Sequence, residues 1–340
     1  MKTLTLDNVT IGYGEKIIID CCSFNLSGGN ILSLLGASGC GKSTLLKAIA
    51  GLLPLHSGRI AFDDELLSKP DWHLSPDKRG VGMIFQDYAL FPHLTVADNI
   101  TFGLHKLPKK ARRTRCAEGL ELVRLTPYTN RYPHELSGGQ QQRVAIARAL
   151  VCQPKVLLFD EPFSNLDIAV RETLMHDIKM ILKSQRITAI FVTHDKNEAF
   201  AMADDIAIIQ GGKIAQYGPS QQVYDRPNSR YVAEFLGNGV LLPATQTIKG
   251  WQTPIGTIEE KYQNKVLSLK NEEEQRLHVY LRPHQINIQS DKNGRAVVKG
   301  HSFRGDLNFY QLDLSDESIC VLTQKRFSIN ESVNLSIALS

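Results

Sequence analysis

Residues 31–43 read ILSLLGASGCGKS, and this stretch decides the fold. Ile31–Leu35 form a short, mainly apolar run, which is typical of a strand buried in a parallel sheet. Gly36–Ser43 follow with the spacing G-x-x-x-x-G-K-S, and a helix is predicted from about Ser43 to Ala50. A glycine-rich loop between a strand and a helix is the geometry that cradles phosphate groups. The stretch therefore predicts a strand, a phosphate-binding loop and a helix in immediate succession.

Each residue type in this loop has a physical reason to be there. Gly36 and Gly41 permit backbone torsions that place successive N–H groups around phosphates. Lys42 would reach the β- and γ-phosphates of a nucleotide, and Ser43 would ligate Mg²⁺. The candidate nucleotide-binding residues of the loop are Gly36, Ala37, Ser38, Gly39, Cys40, Gly41, Lys42, Ser43 and Thr44.

Strands and helices alternate outward from this unit. Further strands are predicted at Gly80–Phe85, Lys155–Asp160, Thr188–Thr193 and Asp205–Gln210. Helices are predicted within Thr95–Leu125 and at Gln140–Val151 and Ile168–Ser184. Leu4–Ile11 alternates between apolar and polar residues, and we expect an edge strand there. The alternation of strands with helices indicates a parallel sheet covered on both faces. Such a sheet binds its ligand at the carboxyl ends of the strands.

An acidic motif supplies the second half of the candidate site. Asp160 and Glu161 end the apolar run Val156–Phe159 at the terminus of a predicted strand. Asp160 would hold Mg²⁺ through its water shell, and Glu161 would orient and polarise the attacking water. The pairing with the phosphate loop predicts nucleoside triphosphate hydrolysis.

The pattern changes near Gly237–Gly239. Beyond this point no long helix is evident, and the chain reads as a small all-β barrel or sandwich. Domains are therefore predicted at residues 1–236 and 237–340. The strand candidates of the second are Lys265–Leu269, His278–Leu281, Gln285–Ile288, Ala296–Val298, Phe309–Leu314, Ile319–Leu322 and Ser332–Ala338.

Composition excludes several classes of protein. The 340 residues are 42% hydrophobic and 22% charged, which is near the average for globular domains and argues against disorder. No signal peptide and no stretch of 18 apolar residues is visible, so a transport role would need another chain as the pore. The net charge of +4 does not demand nucleic acid. The six cysteines form no C-x-x-C pair, which favours reduced thiols.

Leu136–Gln140, reading LSGGQ, is the segment that identifies a family. It places a second glycine-rich turn before a helix and so makes a second anion-binding end. With the other motifs in order, the first 235 or so residues resemble the ATP-binding-cassette (ABC) ATPases. The resemblance implies an α/β P-loop fold: a RecA-like parallel core, an antiparallel β subdomain and an α-helical subdomain. The β-rich domain that follows resembles the oligonucleotide-binding-like regulatory domain of several importers.

The resemblance extends to four further positions. Tyr13 matches an aromatic that stacks on adenine, and Gln86 matches a glutamine that senses Mg²⁺ and links the site to the membrane partner. Asp167 matches the loop that crosses a dimer interface, and His194 matches a histidine that contacts the γ-phosphate. Asn165 departs from the usual alanine. The resemblance implies catalytic roles for Glu161, His194, Gln86 and Lys42, and Mg²⁺ ligation by Ser43, Gln86 and Asp160.

In this family two ATPase subunits meet head to tail and enclose ATP between them. The resemblance therefore implies a homodimer, membrane permease subunits, and indirectly a periplasmic substrate-binding protein, with this chain peripheral on the cytoplasmic face of the inner membrane. A soluble ATPase acting on nucleic acid or ribosomes is the rival, but one cassette without a long coiled-coil insertion disfavours it. The residues implied to act on the partner's ATP are Ser137, Gly138, Gly139, Gln140 and Asp167.

Short sequence segments indicate the branch of the family. The runs at residues 85–96 and 131–135 look like importers, and Arg282-Pro283 resembles a landmark of their regulatory domain. Residues 235–244 look most like the ferric iron import ATPases, with polyamine, sugar and oxyanion importers as alternatives. The scattered His278, His284, His301 and Cys320 do not read as an iron site. We therefore expect this chain to power ferric import without binding Fe³⁺ itself.

Overall fold

The computed structural model describes residues 2–164, 166–270, 277–315 and 317–339. Asn165, the departure noted above, lies outside them. The chain divides into two compact units, Met1–Ser220 and Gln221–Ser340. This division precedes the predicted boundary at residues 236/237. Two contacts explain why the intervening segment groups with the second unit: the Tyr280 hydroxyl donates to the Ala233 carbonyl (3.5 Å), and Arg282 Nη2 donates to the Tyr224 carbonyl (2.9 Å).

The first unit alternates strands and helices as the sequence predicts, with additional antiparallel strands. Its strands are β1 (Thr3–Tyr13), β2 (Lys16–Ser27), β3 (Ile31–Gly36), β4 (Ser57–Phe62), β5 (Glu65–Lys69), β6 (Trp72–His73), β7 (Val81–Ile84), β8 (Val156–Asp160), β9 (Thr188–Val192), β10 (Asp205–Gln210) and β11 (Lys213–Pro219). Its helices are α1 (Lys42–Ala50), α2 (Val96–Thr101), α3 (Lys109–Leu122), α4 (Gly138–Leu150), α5 (Ile168–Ser184) and α6 (Lys196–Met202), and α7 (Ser220–Asp225) follows across the division.

A six-stranded sheet in the order β11-β10-β3-β9-β8-β7 forms the centre of this unit. The pairs β10–β3, β3–β9, β9–β8 and β8–β7 are all parallel, and β11 is antiparallel at the edge. Strands β3 and β9 are buried along their whole length, which explains their nearly continuous apolar sequences. The parallel sheet predicted from the sequence is confirmed.

The prediction that Leu4–Ile11 is an edge strand is wrong. It lies in β1, which pairs with β2 on one side and β4 on the other within an antiparallel sheet of order β2-β1-β4-β5-β6. Alternation of apolar and polar residues reports that one face of a strand is buried. It does not report whether both edges are hydrogen-bonded, and this explains the error.

Residues 96–151 form a mainly helical region, in which α2, α3 and α4 pack against one another. Single turns of 3₁₀-helix connect them, at Phe102–Leu104, Thr126–Tyr128 and Pro133–Glu135. Their apolar faces share one core with β8, β9 and α5. No helix in the described part of the chain combines the length and the apolar composition that a membrane span requires.

The second unit is all-β apart from α7 and α8 (Arg230–Leu236) at its start and two short 3₁₀ segments, within the described part of the chain. Two five-stranded sheets, β14-β13-β12-β16-β15 and β17-β21-β18-β19-β20, share one apolar core. The sequence missed β12, β13 and β14, because Gly and Pro interrupt their alternation. The strands are β12 (Val240–Thr247), β13 (Gly250–Thr253), β14 (Gly256–Glu259), β15 (Leu267–Lys270), β16 (Leu277–Leu281), β17 (Ile286–Ser290), β18 (Ala296–Arg304), β19 (Leu307–Leu314), β20 (Glu317–Thr323) and β21 (Ser332–Ile337).

A buried arginine fastens the carboxyl end of α1. Arg79 is fully buried and donates to the carbonyls of Ala48 (3.0 Å) and Ile49 (2.9 Å), and to the Ser68 hydroxyl in β5 (2.6 Å). Burial lowers the pKa of its guanidinium to about 10. A cation at a helix carboxyl terminus satisfies carbonyls that have no partner within the helix. Gly51 ends α1 in the left-handed conformation (φ 85°), where a Cβ would meet Arg79 Nε at 2.4 Å.

We expect Arg79→Met to lower the free energy of unfolding by about 2–4 kcal/mol, because it leaves several buried acceptors without a donor. Arg59→Met is the matched control, since Arg59 is 64% exposed and its pair with Asp7 lies in water. The control should change stability by less than about 0.5 kcal/mol. Urea unfolding of both variants measures the difference. Equal midpoints for Arg79→Met and wild type would contradict the role assigned to Arg79.

Candidate functional site

Four loops meet at one edge of the six-stranded sheet. β3, β9, β8 and β7 are successive neighbours and run parallel, so their carboxyl ends lie side by side. The segments that leave these ends carry the phosphate loop, His194, the Asp160–Glu161 pair and Gln86. Sheets of this kind bind ligands at this edge. The sheet order thus brings together residues that are up to 158 positions apart, Gly36 and His194.

The phosphate loop has the backbone geometry that its glycines predict. Gly41 has φ 103°, a backbone conformation that strains any other residue, and a Cβ there would also have to displace Ile19 Cδ1 at 2.6 Å. Helix α1 begins at the next residue, and the Leu45 N–H donates to the Gly41 carbonyl (2.9 Å). The amino end of α1 therefore faces the loop with N–H groups that have no partner within the helix.

The Lys42 amine lies inside the loop. The side chain is buried, and Nζ donates to the carbonyls of Gly36 (2.8 Å) and Ala37 (3.0 Å), with Cys40 Sγ at 3.8 Å. Among the contacts of the described residues this cation meets neutral groups and no carboxylate, which leaves the loop with positive charge to offset. The loop is therefore suited to an anion such as a triphosphate.

Ser43 and Asp160 form a direct pair. The Ser43 hydroxyl donates to Asp160 Oδ1 at 2.7 Å, although the residues are 117 positions apart. The Gln86 side chain adds an amide oxygen at the end of the neighbouring strand. Hydroxyl, carboxylate and amide oxygens are the hard ligands that Mg²⁺ prefers. The chemistry of these three side chains therefore suits Mg²⁺, and their role as its ligands stays a prediction.

Glu161 and His194 face each other across the ends of β8 and β9. Glu161 Oε2 lies 3.4 Å from His194 Nδ1, and the Glu161 N–H donates to the Val192 carbonyl at 3.1 Å. Glu161 has φ 47°, a conformation that costs an L-residue about 1–3 kcal/mol. A carboxylate paired with an imidazole can accept and hold a proton from water.

Gln86 connects to the backbone of Glu161 through Ser164. The sequence did not single out Ser164 as a site residue. Gln86 Nε2 donates to Ser164 Oγ (3.3 Å), and Ser164 Oγ donates to the Glu161 carbonyl (3.1 Å). A lone serine in a loop carries no pattern, and only the fold reveals this bridge.

A buried network lies behind His194 and the loop of Asp167. The Thr193 hydroxyl donates to Glu198 Oε2 (2.6 Å), and Arg171 Nη1 lies 3.3 Å from Glu198 Oε1. Arg171 Nη2 also donates to the Leu166 carbonyl (2.9 Å) beside Asp167. Burial raises the pKa of Glu198, and the Thr193 hydrogen bond and Arg171 oppose that shift. Asp167 itself caps α5 by accepting from the Val170 N–H (3.0 Å).

The segment Ser137–Gln140 forms the start of α4. Ser137 Oγ accepts from the Gln140 N–H (3.4 Å), and Gln140 Oε1 accepts from the Ser137 N–H (2.9 Å), which is a capping box. No hydrogen bond or ion pair of the described residues joins this segment to Lys42, Ser43 or Glu161. Tyr13 ends β1 with half of its side chain exposed. Within the described chain, then, the structure unites the residues at the sheet edge and leaves this segment apart from them.

Known proteins resemble this chain closely. Residues 19–164 match the family profile described as ABC transporter. The Fe(3+) ions import ATP-binding protein FbpC of Pasteurella multocida (strain Pm70) is 43% identical over 256 residues, covering 73% of this chain and 72% of the relative. The spermidine/putrescine import ATP-binding protein PotA of the same strain is 36% identical over 352 residues, covering 99% and 94%.

A solved structure agrees with these relatives. The structure of CbiO1 from Clostridium perfringens, described as part of the ABC transporter complex CbiONQ, superposes with a TM-score of 0.61 at 30% identity. It covers 65% of this chain and 90% of that chain. The cassette fold predicted for the first unit is confirmed, and the all-β sheets that follow agree with the predicted additional domain.

We expect Glu161→Gln to reduce ATP hydrolysis by about 10²-fold or more, because an amide keeps the shape of the side chain but cannot accept a proton from water. Affinity for ATP should stay close to wild type. Steady-state phosphate release and equilibrium titration with ATP measure the two quantities. Near-normal hydrolysis by the purified variant would remove Glu161 from the mechanism.

Proposed function

This chain belongs to the ABC importer ATPases, and we propose that it is the subunit whose ATP hydrolysis powers import of ferric iron. The observation that carries the hydrolytic part is the group at one sheet edge: Lys42 in the phosphate loop, the Ser43–Asp160 pair and the Glu161–His194 pair. The proposed site lies on the first unit, and the membrane-crossing path belongs to other chains.

The residues divide the work of hydrolysis. Lys42 and the N–H groups at the start of α1 offset the charge of the β- and γ-phosphates. Glu161 orients the attacking water and takes up its proton, and His194, 3.4 Å away, holds the carboxylate and contacts the γ-phosphate. Tyr13, half exposed at the end of β1, offers its ring for stacking on adenine.

Ser43, Asp160 and Gln86 would hold Mg²⁺, with Asp160 acting through the ion's water shell. The bound ion would supply positive charge against the negative charge that develops on the phosphate oxygens. The hydrogen bond between Ser43 and Asp160 already holds the Ser43 hydroxyl oxygen 2.7 Å from Asp160 Oδ1.

The segment Ser137–Gln140 would act on the ATP of a second copy. Its capping box fixes the amino end of α4, and Gly138 and Gly139 leave that end without side chains. A single glycine-rich helix end does not enclose a triphosphate, so a head-to-tail homodimer, with Asp167 at the interface, completes two sites. ATP then closes the dimer, and hydrolysis releases it.

An aromatic surface next to Gln86 would receive the permease subunits. Phe91 packs against Phe102 with ring centres 4.2 Å apart and the rings tilted by 35°, and Phe102 is 54% exposed. Exposed aromatic side chains are typical anchors of protein interfaces. Their closeness in sequence to Gln86 supports a path from the nucleotide to the membrane chains. The subunit would then sit at the cytoplasmic face of the inner membrane, without nucleic acid as a partner.

The ferric assignment rests on the higher identity of the iron import relative, 43% against 36%. A polyamine is the second candidate substrate, because the polyamine import relative matches 99% of this chain and therefore includes its β-rich unit. The permease and an external binding protein would contact the cargo, and this chain would not.

Mixing inactive subunits tests the dimer. Ser137→Arg should block hydrolysis of the partner's ATP, while Lys42→Ala should weaken the subunit's own phosphate loop. The mixture contains one composite site with both halves intact, so its ATPase rate should exceed that of either parent. Crosslinking of the mixture serves as the control for dimer formation. A crosslinked mixture with no added activity would count against the head-to-tail arrangement with independent sites.

Deletion of the gene tests the cargo. The deletion strain should lose uptake of ferric iron delivered by a binding protein and keep ferrous uptake. Loss of spermidine or putrescine uptake with ferric uptake intact would replace iron by a polyamine as the substrate. The purified subunit should bind no stoichiometric Fe³⁺, because its histidines are scattered. Iron binding that disappears on truncation after Gly237 would contradict this part of the proposal.

A further inference from the structure

A strained turn follows Gln86. The Tyr88 N–H donates to the Phe85 carbonyl (3.0 Å), so Gln86 lies inside a tight turn. Tyr88 (φ 61°) and Ala89 (φ 45°) then adopt the left-handed conformation in succession. L-residues rarely take this conformation, and it persists only where the surroundings hold it. Within the turn, the Ala89 N–H donates to Asp87 Oδ1 (3.2 Å), and further support comes from outside it.

Arg148 is the group that holds this turn. Its Nη1 donates to the Ala89 carbonyl (2.6 Å) and its Nη2 to the Tyr88 carbonyl (2.9 Å). The guanidinium carbon also lies 5.7 Å from the centre of the Phe91 ring. Among the ion pairs of the described residues, none gives Arg148 a carboxylate partner. Both of its terminal nitrogens are instead directed at two successive carbonyls of one turn.

Because Arg148 belongs to α4, its contacts connect the turn to the opposite end of that helix. Ser137 caps the amino end of this helix, and Arg148 lies in its last turn. At 1.5 Å per residue the two are about 16 Å apart along one continuous helix. One continuous helix and a two-pronged hydrogen bond therefore connect Ser137 to the Gln86 turn.

We propose that Arg148 is a positioning residue for hydrolysis, which keeps the Tyr88–Ala89 turn in its strained form and so fixes Gln86 beside Ser164. It also makes α4 a mechanical link between the segment that meets the partner's ATP and the glutamine turn. This inference rests on the proposed function, because it assigns Arg148 a role in the same site.

Arg148→Lys in the full-length purified chain is the first test. Lysine keeps the charge but cannot direct two donors at neighbouring carbonyls. We expect kcat for ATP hydrolysis to fall about tenfold, with KM for ATP within about twofold of wild type. Without nucleotide, hydrogen–deuterium exchange should rise in the peptide 85–92 and stay unchanged in α1. Should this variant fail to fold, Arg148→Gln, which keeps one amide donor, takes its place and is held to the same outcomes.

A double-mutant cycle separates positioning from general stability. Ala89→Gly removes the left-handed strain at one of the two positions and leaves Tyr88 unchanged, so the turn depends less on being held. In the Ala89→Gly background, Arg148→Lys should therefore lower kcat only about threefold instead of about tenfold. An equal loss in both backgrounds would overturn the proposal.

Arg115→Lys is the matched control. Arg115 also donates to a carbonyl near the end of α4, that of Val151 (3.1 Å), but does not touch the glutamine turn in the described contacts. Its kcat and its exchange at 85–92 should match wild type, and a loss like that of Arg148→Lys would overturn the proposal. A wild-type chain that hydrolyses no ATP would contradict the proposed function. Wild-type hydrolysis together with normal kcat in Arg148→Lys contradicts this inference alone.

Discussion

Parallel pairing of β3, β9, β8 and β7 is the constraint on which the site depends. Hydrogen bonds between these strands fix which loops become neighbours, and the shared strand direction puts all four loops at one edge. The Ser43–Asp160 bond and the Glu161–His194 contact each join the loops of two different strands. A shift of one strand by a single residue would turn its side chains to the other face and separate these pairs.

Arginines paired with carbonyl groups hold the elements around this edge. Arg79 fastens the far end of α1, and Arg148 fastens the turn after Gln86. Guanidinium groups suit this task, because their fixed geometry reaches two acceptors at once and their charge strengthens each hydrogen bond. Arg171 does similar work between the Leu166 carbonyl and Glu198, where a carboxylate is also present. Arginine side chains that donate to backbone carbonyls thus hold the segments next to the site.

Much of the fold was predictable, since the apolar runs at Ile31–Leu35 and Lys155–Asp160 have the composition of buried parallel strands. The start of α5 at Ile168 was predictable as well, because Asp167 is a strong helix cap. The pairing of β1 on both edges was not, since alternation carries information about faces only. Strands β12–β14 were missed because Gly and Pro break their pattern. The order of strands and loops along the sequence predicted that four residues would cluster: Lys42, Ser43, Asp160 and Glu161. No local sequence signal marked Ser164, Arg148 or Arg171.

By itself the sequence determined that a phosphate loop lies between a strand and a helix, because Gly36, Gly41, Lys42 and Ser43 have a spacing that little else satisfies. It also determined the family, through the motif at residues 136–140. Only the tertiary structure decided which carbonyls the arginines meet and how Gln86 reaches Ser164 and Glu161. The reason is physical: a hydrogen bond between residues 78 positions apart depends on the order and register of strands, and these are properties of the folded sheet.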